Sequence, residues 1–324
     1  MKTSNYVIGG YLLILVTVIS CKKPKSDDPT PINPLALAAE KSPYLTLANY
    51  FNKEVNKQLF TLPASTASVR VKCSQGTVLT FNRSAMLDAN NAPISVLADV
   101  RIEVQEYLDA KDIVLYGKNT NAGDSLLSSQ GLLNIKLKDG NGNTLHFATI
   151  ANALVVEFPQ KTFPLPSSDF YLGTADSQNL LNCILQPNGR NAFTKKTDLI
   201  DGGIFYTHSL PNASNWIQCG YPKPTDVSFA KNLQITFDEP KLIGQQKLVY
   251  AYSAELNAAY ISVTTANTVT LSKLPQGYNF KLITLSIINN YMYADVQPWN
   301  NTGSQQLSPR SITDAAYTLK IRAL

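Results

Sequence analysis

The hydroxyl of Ser125, in Gly123-Asp124-Ser125-Leu126, is the side chain whose neighbours most suggest nucleophilic chemistry. A serine attacks well only when a base takes its proton. The chain holds two histidines, His146 and His208, so imidazole chemistry has few places to occur. Asp139-x-Asn141-x-Asn143 offers oxygen ligands at alternate positions, as a calcium loop does. Thr144 stands where such a loop needs glycine and Ile150 where it needs glutamate, so the segment reads as a turn. No Gly-rich phosphate loop, His-Glu-x-x-His or Cys-x-x-Cys occurs. Metal and nucleotide readings have no starting point, and no cofactor is expected.

Gly123-Asp124-Ser125-Leu126 resembles the motif by which one family of serine esterases is recognised. That resemblance implies an Asp-x-x-His block near the C-terminus, but Phe205 stands three residues before His208 and Asn143 three before His146. The esterases also follow an α/β plan, whereas Ser125 lies between β-type stretches, so Asp124 and Ser125 are expected to be loop residues. Asp124-Ser125-Leu126 also resembles the Asp-Ser/Thr-apolar site at which exported Bacteroidota proteins are O-glycosylated. Ser228-Phe229-Ala230-Lys231 is similar to the Ser-x-x-Lys element of penicillin-interacting enzymes, yet neither Ser-Asp-Asn nor Lys-Thr-Gly is present.

The 16 tyrosines and two tryptophans are the remaining chemical resource, notably Tyr291, Tyr293 and Trp299 within an Asn-rich stretch. Flat aromatics beside amides suit stacking on sugar rings or gripping a protein. Tyr291 and Tyr293 also sit at strand spacing, which fits a core better than a ligand face.

Val18-Ile19-Ser20-Cys21 resembles the lipobox of the bacterial lipoprotein pathway, in which the cysteine sulfur takes a diacylglyceryl group. Before it stand Lys2 and an uncharged, mostly apolar run from Tyr6 to Ile19, shorter than the roughly 20 residues of a lasting bilayer helix. Residues 1–20 are therefore expected to be a cleaved signal and Cys21 a lipid anchor, since several acyl chains on one cysteine hold a protein firmly. Residues 21–42 form a tether whose run from Lys22 to Pro34 has four prolines and reaches roughly 40 Å at about 3.1 Å per residue.

Setting aside Lys2, Lys22, Lys23, Lys25, Asp27 and Asp28 leaves 24 basic and 21 acidic side chains, too even a balance for a nucleic-acid-binding protein. Three cysteines remain beyond the anchor: Cys73, Cys183 and Cys219. Outside the cytoplasm a Cys183–Cys219 disulfide is permitted, and buried free thiols are the alternative.

Ser42-Pro43 followed by Tyr44, Leu47, Ala48, Phe51 and Val55 predicts a short helix over 43–57. The period then changes to two. Val100, Ile102 and Val104 alternate with Arg101, Glu103 and Gln105, and Leu133, Ile135 and Leu137 with Asn134, Lys136 and Lys138. Asp139 to Asn143 predicts a hairpin turn. Short strands recur to residue 288, parted by Asn, Gly, Pro and Ser, which points to a mainly β chain of two antiparallel sandwich-like domains. Pro159, Pro164 and Pro166 place the boundary between 43–160 and 161–324. Ser311 and Asp314 suggest a capped final helix.

The runs Gly76 to Phe81, Ala85 to Asp88, Val100 to Tyr107 and Gly131 to Ile135, with Asn215-Trp216-Ile217-Gln218-Cys219 and Leu274 to Gly277, resemble tandem β modules of uncharacterised exported Bacteroidota lipoproteins. The resemblance spans roughly residues 58–324 and brings no known catalytic residue. It implies a non-enzymatic outer-membrane lipoprotein, surface-exposed or periplasm-facing, that binds protein or glycan. A structural or assembly role is the alternative, and an esterase built on Ser125 the third reading.

Overall fold

Alternation of apolar and polar side chains sets the main elements of the computed structural model. The model describes residues 40–52, 57–123, 125–161, 167–175, 181–198, 203–210, 216–222, 230–300 and 302–324. The apolar run 6–19, Cys21, most of the tether, Asp124 and Ser228 lie outside those residues. Residues 39–324 form one contact unit, and the fold is mainly β and sandwich-like.

A short helix α1 (Leu47–Phe51) opens the described chain. Its cap is Thr46, whose hydroxyl accepts from the Asn49 N–H at 3.1 Å, while Ser42 instead accepts from Tyr44 N–H. The helix therefore starts later than Ser42-Pro43 predicts. There follow β1 (Lys57–Leu62), β2 (Ser68–Lys72), β3 (Val78–Asn82), β4 (Met86–Leu87), β5 (Val100–Tyr107), α2 (Ala110–Leu115), β6 (Asn121–Ala122) and β7 (Ser125–Asp139). Next come β8 (Thr144–Phe147), β9 (Leu154–Pro159), β10 (Ser167–Ala175), β11 (Leu181–Leu185), β12 (Phe193–Thr197), β13 (Ile204–Leu210) and β14 (Trp216–Pro222). All fourteen strands belong to one sheet whose main path runs β1-β5-β7-β14-β10-β12-β13-β9-β3-β2. It encloses a core of Leu79, Phe81, Ile102, Val104, Leu133, Val156, Phe158, Tyr206 and Ile217.

The remaining strands are β15 (Ala230–Phe237), β16 (Lys247–Ser253), β17 (Ala258–Thr264), β18 (Thr268–Pro275), β19 (Lys281–Ile288), β20 (Tyr291–Pro298), β21 (Ser304–Leu307) and β22 (Arg310–Ile312). They make a three-stranded sheet β18-β15-β21 and a five-stranded sheet β17-β16-β19-β20-β22. Leu233, Ile235, Val249, Leu271, Leu282 and Trp299 fill the space between them. The last helix, α3 (Asp314–Arg322), takes its cap from Thr313; Ser311 belongs to β22.

The boundary expected near residue 160 falls inside the first sheet. Phe205 of β13 pairs with Pro159 of β9, and β14 pairs with β7 from Trp216↔Asn134 to Pro222↔Leu127. Pro159 ends β9, Pro164 and Pro166 lie outside the described residues, and the sheets themselves change between β14 and β15. A third apolar cluster then joins the two sheet systems, gathering Tyr50 and Phe51, Ile113 and Val114, Tyr171, Trp216, Tyr250, Ile283 and Tyr317.

Strand β7 shows where these cores meet. Its first half is buried without alternation and its second half alternates. Leu126 enters the core of the second sheet system, Leu127 and Leu132 the joining cluster, and Leu133 the first core. Side chains on both faces of this strand are out of water, so period two is lost there. The turn after β7 is the one predicted: Asp139 Oδ1 accepts from the N–H groups of Asn141 and Asn143, and Gly142 sits at φ +88°.

Candidate functional site

Ser125 owes its place to a tight hairpin. Ala122 pairs with Ser125 and Asn121 with Leu126, so the chain reverses just after β6. Gly123 takes φ +56°, which such turns require and glycine supplies without strain. Ser125, expected in a loop, is instead the first residue of β7. Ser125 borders an open cavity of about 360 Å³ together with Tyr171, Asn182, Cys183, Arg190 and Pro222. The carboxylate that Tyr171 and Arg190 of this lining contact is already engaged: Asp169 accepts from Asn191 N–H at 2.8 Å and from the Tyr171 hydroxyl at 3.4 Å, and Arg190 lies 3.5 Å away. Burial, aided by the Asp169 charge, pushes the Tyr171 hydroxyl well above its ordinary pKa.

Neither histidine lines that cavity. His146 Nε2 meets Asn91 Oδ1 at 2.9 Å, and His208 lies between the rings of Phe170 and Phe193, with centroids 5.4 and 5.3 Å away. Burial lowers the pKa of His208. Among the described residues, no three His, Cys, Asp or Glu side chains converge to hold a metal ion.

The aromatic trio weighed for a ligand face is mostly inside, and for Tyr293 the core reading holds. Trp299 is buried against Phe280, ring centroids 5.9 Å apart, and its Nε1 donates to the Thr302 carbonyl at 3.0 Å. Tyr293 is buried on β20 with Lys241 Nζ 5.9 Å from its ring centre. Tyr291 is half-buried beside the turn Asn289–Asn290, whose residues sit at φ +49° and +66°. The asparagines that suggested amides beside a sugar serve turns instead: those two supply left-handed backbone, and Asn300 Oδ1 accepts from Thr302 N–H.

Of the two readings of these cysteines the free-thiol one holds: Cys73, Cys183 and Cys219 are buried free thiols, and Cys183 and Cys219 are not bonded. Cys183 pairs with Gly173 and Cys219 with Phe170, so β10 stands between them and their partners are three residues apart. Two strand spacings of about 4.8 Å already exceed the reach of a disulfide. The odd offset also turns the thiols to opposite faces, Cys183 into the joining cluster and Cys219 into the first core. Burial raises the pKa of Cys183 and Cys73 to about 12 each and that of Cys219 further.

Sequence reasoning passed over the outer face of β1, β5, β7 and β8. The alternation marked it as wet, but the pairing of those strands, which brings Lys57, Arg101, Lys136 and Lys138 together, is a long-range property. No model of a known protein family matches the chain, and no curated protein matches its sequence.

Proposed function

We propose that this chain is an exported lipoprotein, held to the outer membrane through Cys21, whose β body works by binding and not by catalysis. The observation that carries the reading is Val18-Ile19-Ser20-Cys21 behind a short apolar run and ahead of a proline-rich, lysine-led tether. The body supports it in two ways. The hydroxyl of Ser125 stands at the start of β7, with both histidines engaged elsewhere. The two sheet systems are joined through a shared apolar cluster, which suits a scaffold presenting fixed surfaces.

A protein is the better-supported ligand class. Trp299 and Tyr293 are in the interior, so they offer no flat face on which a sugar ring could stack.

The test is protease digestion of intact cells expressing wild type beside Cys21→Ala, with palmitate labelling of both. Labelling and surface cleavage that both depend on Cys21 are the expected result. A body without label sinks the anchored reading. A labelled body protected until the outer membrane is broken leaves the anchor and removes surface binding, in favour of a periplasm-facing assembly role.

A further inference from the structure

Lys57, Leu59 and Thr61 of β1, Arg101 and Glu103 of β5, Lys136 and Lys138 of β7, and Thr144 and His146 of β8 all point to the outer side of the first sheet. The register requires it. Leu59 pairs with Glu103 and Glu103 with Lys136; Thr61 pairs with Arg101, Arg101 with Lys138, and Lys138 with Thr144. Four cations therefore share this face with one carboxylate. That carboxylate is held by Lys138, 2.9 Å away, and together with the charges of Lys57 and Lys136 this keeps the Glu103 carboxyl below its ordinary pKa range. β8 leaves β7 after two pairs to join β4, and the parting opens a cleft of about 520 Å³ bordered by Lys57, Glu103, Lys136, Lys138 and His146.

Large aliphatic side chains stand exposed among and beside these cations. Leu59 is 73% exposed on the face itself, and Val96 and Leu97 are 62% and 76% exposed on the connection entering β5. That connection is fixed. The buried Arg83 guanidinium donates to the carbonyls of Ser95 and Ala98, on either side of Val96–Leu97, and to those of Leu62, Pro63 and Thr66. Ser65 N–H donates to the Val96 carbonyl at 2.6 Å, and Ser95 Oγ accepts from Leu97 N–H. A turn braced at both ends holds its two aliphatic side chains in water.

We propose that this face is a membrane-docking surface: the cations and the cleft take phosphate-bearing headgroups of anionic lipid, while Leu59, Val96 and Leu97 enter the interfacial layer. Charge complementarity selects an anionic occupant. The interleaved aliphatics select a lipid surface over a dissolved phosphate, which has no use for them. Lysine stems can lie along the apolar layer and keep their charge among the headgroups. The proposal goes beyond the anchored-module reading and is tested without the anchor, so that either can fail alone.

The full chain carrying Cys21→Ser, which cannot be acylated, is sedimented with vesicles of equimolar phosphatidylglycerol and phosphatidylcholine, and with pure phosphatidylcholine. Binding to the mixed vesicles alone, weakened by salt, is expected. Lys57→Gln/Lys136→Gln/Lys138→Gln lowers the partition coefficient about a hundredfold, on the scale of one lysine at an anionic surface. Leu97→Ser, on a separate loop and at an exposed position, lowers it about tenfold. No binding to mixed vesicles overturns the proposal. So does binding lost in Lys22→Gln/Lys23→Gln/Lys25→Gln but kept in the sheet-face variant, which assigns the affinity to the tether. Full competition by inorganic phosphate at matched ionic strength, with Leu97→Ser unaffected, overturns the lipid in favour of a dissolved anion.

Discussion

Asn257 Oδ1 accepts the Ala110 N–H at 2.7 Å, so a turn of the second sheet system holds the first residue of α2. The same amide donates through Nδ2 to the carbonyls of Leu108, 2.7 Å away, and Ser129, 2.9 Å away. Beside it, Ser128 Oγ donates to the Leu256 carbonyl, and Asn121 exchanges hydrogen bonds with the backbone of Ile261. The two sheet systems are thus joined by directional bonds as well as by apolar area.

Asn257→Ala removes three of those bonds and strands partly buried partners. A loss of about 2–4 kcal/mol is expected in urea unfolding. The transition should also broaden or split as the sheet systems separate. An unchanged midpoint would mean that the apolar cluster alone joins them.

Gly117 sits at φ +64°, and a Cβ there would lie 2.3 Å from the Phe51 ring. Gly117→Ala therefore strains the backbone and pushes α1 off its seat, at about 2 kcal/mol or more. Limited proteolysis should open the chain around residues 40–52 well before the sheets unfold. Resistance equal to wild type would show that α1 does not depend on this contact.

The three body thiols stay protonated at neutral pH because burial raises their pKa. In the Cys21→Ser chain, a thiol reagent should label none of them in the native state and all three after unfolding, without prior reduction. Finding one label where three are expected would restore the disulfide.

His208 is buried between aromatic rings and its pKa lies below the ordinary 6.5. The unfolded chain therefore takes up the proton first as pH falls. Its contribution to stability is complete above pH 6.5 and is lost as pH drops below that value toward the folded pKa. The urea midpoint should decline over that window, and His208→Phe should flatten the decline. An equal decline in the variant would assign it to other groups.

The strands were legible because period two is a local signal. Val100 to Tyr107 and the second half of β7 alternate as their residues dictate. What each strand pairs with is not local. Pro159 ends β9 and looked like a division of the chain, yet β9 pairs across it with β13, 45 or more residues on. Trp299 was misplaced for a related reason. Its polar neighbours read as a binding surface, whereas the Asn300 side chain accepts from Thr302 N–H and the Thr302 carbonyl accepts the indole N–H. The cysteines left two alternatives open in the sequence, since spacing does not tell which face of which strand a thiol occupies. The cationic face was visible strand by strand and invisible as a unit, because it exists only once β1, β5, β7 and β8 are in register.

The Tyr50 hydroxyl donates to Asp314 at 2.9 Å, and its ring packs on Tyr317, so the first helix of the body is fastened to the last. Ser42 N–H, just ahead of it, donates to the Asn290 carbonyl. Tension arriving through the amino-terminal segment is therefore delivered to the carboxy-terminal helix and the β19–β20 turn, not to a free strand edge. A body loaded in that way shears at one corner instead of unzipping, and a fluorophore attached after Leu324 would report the first slip.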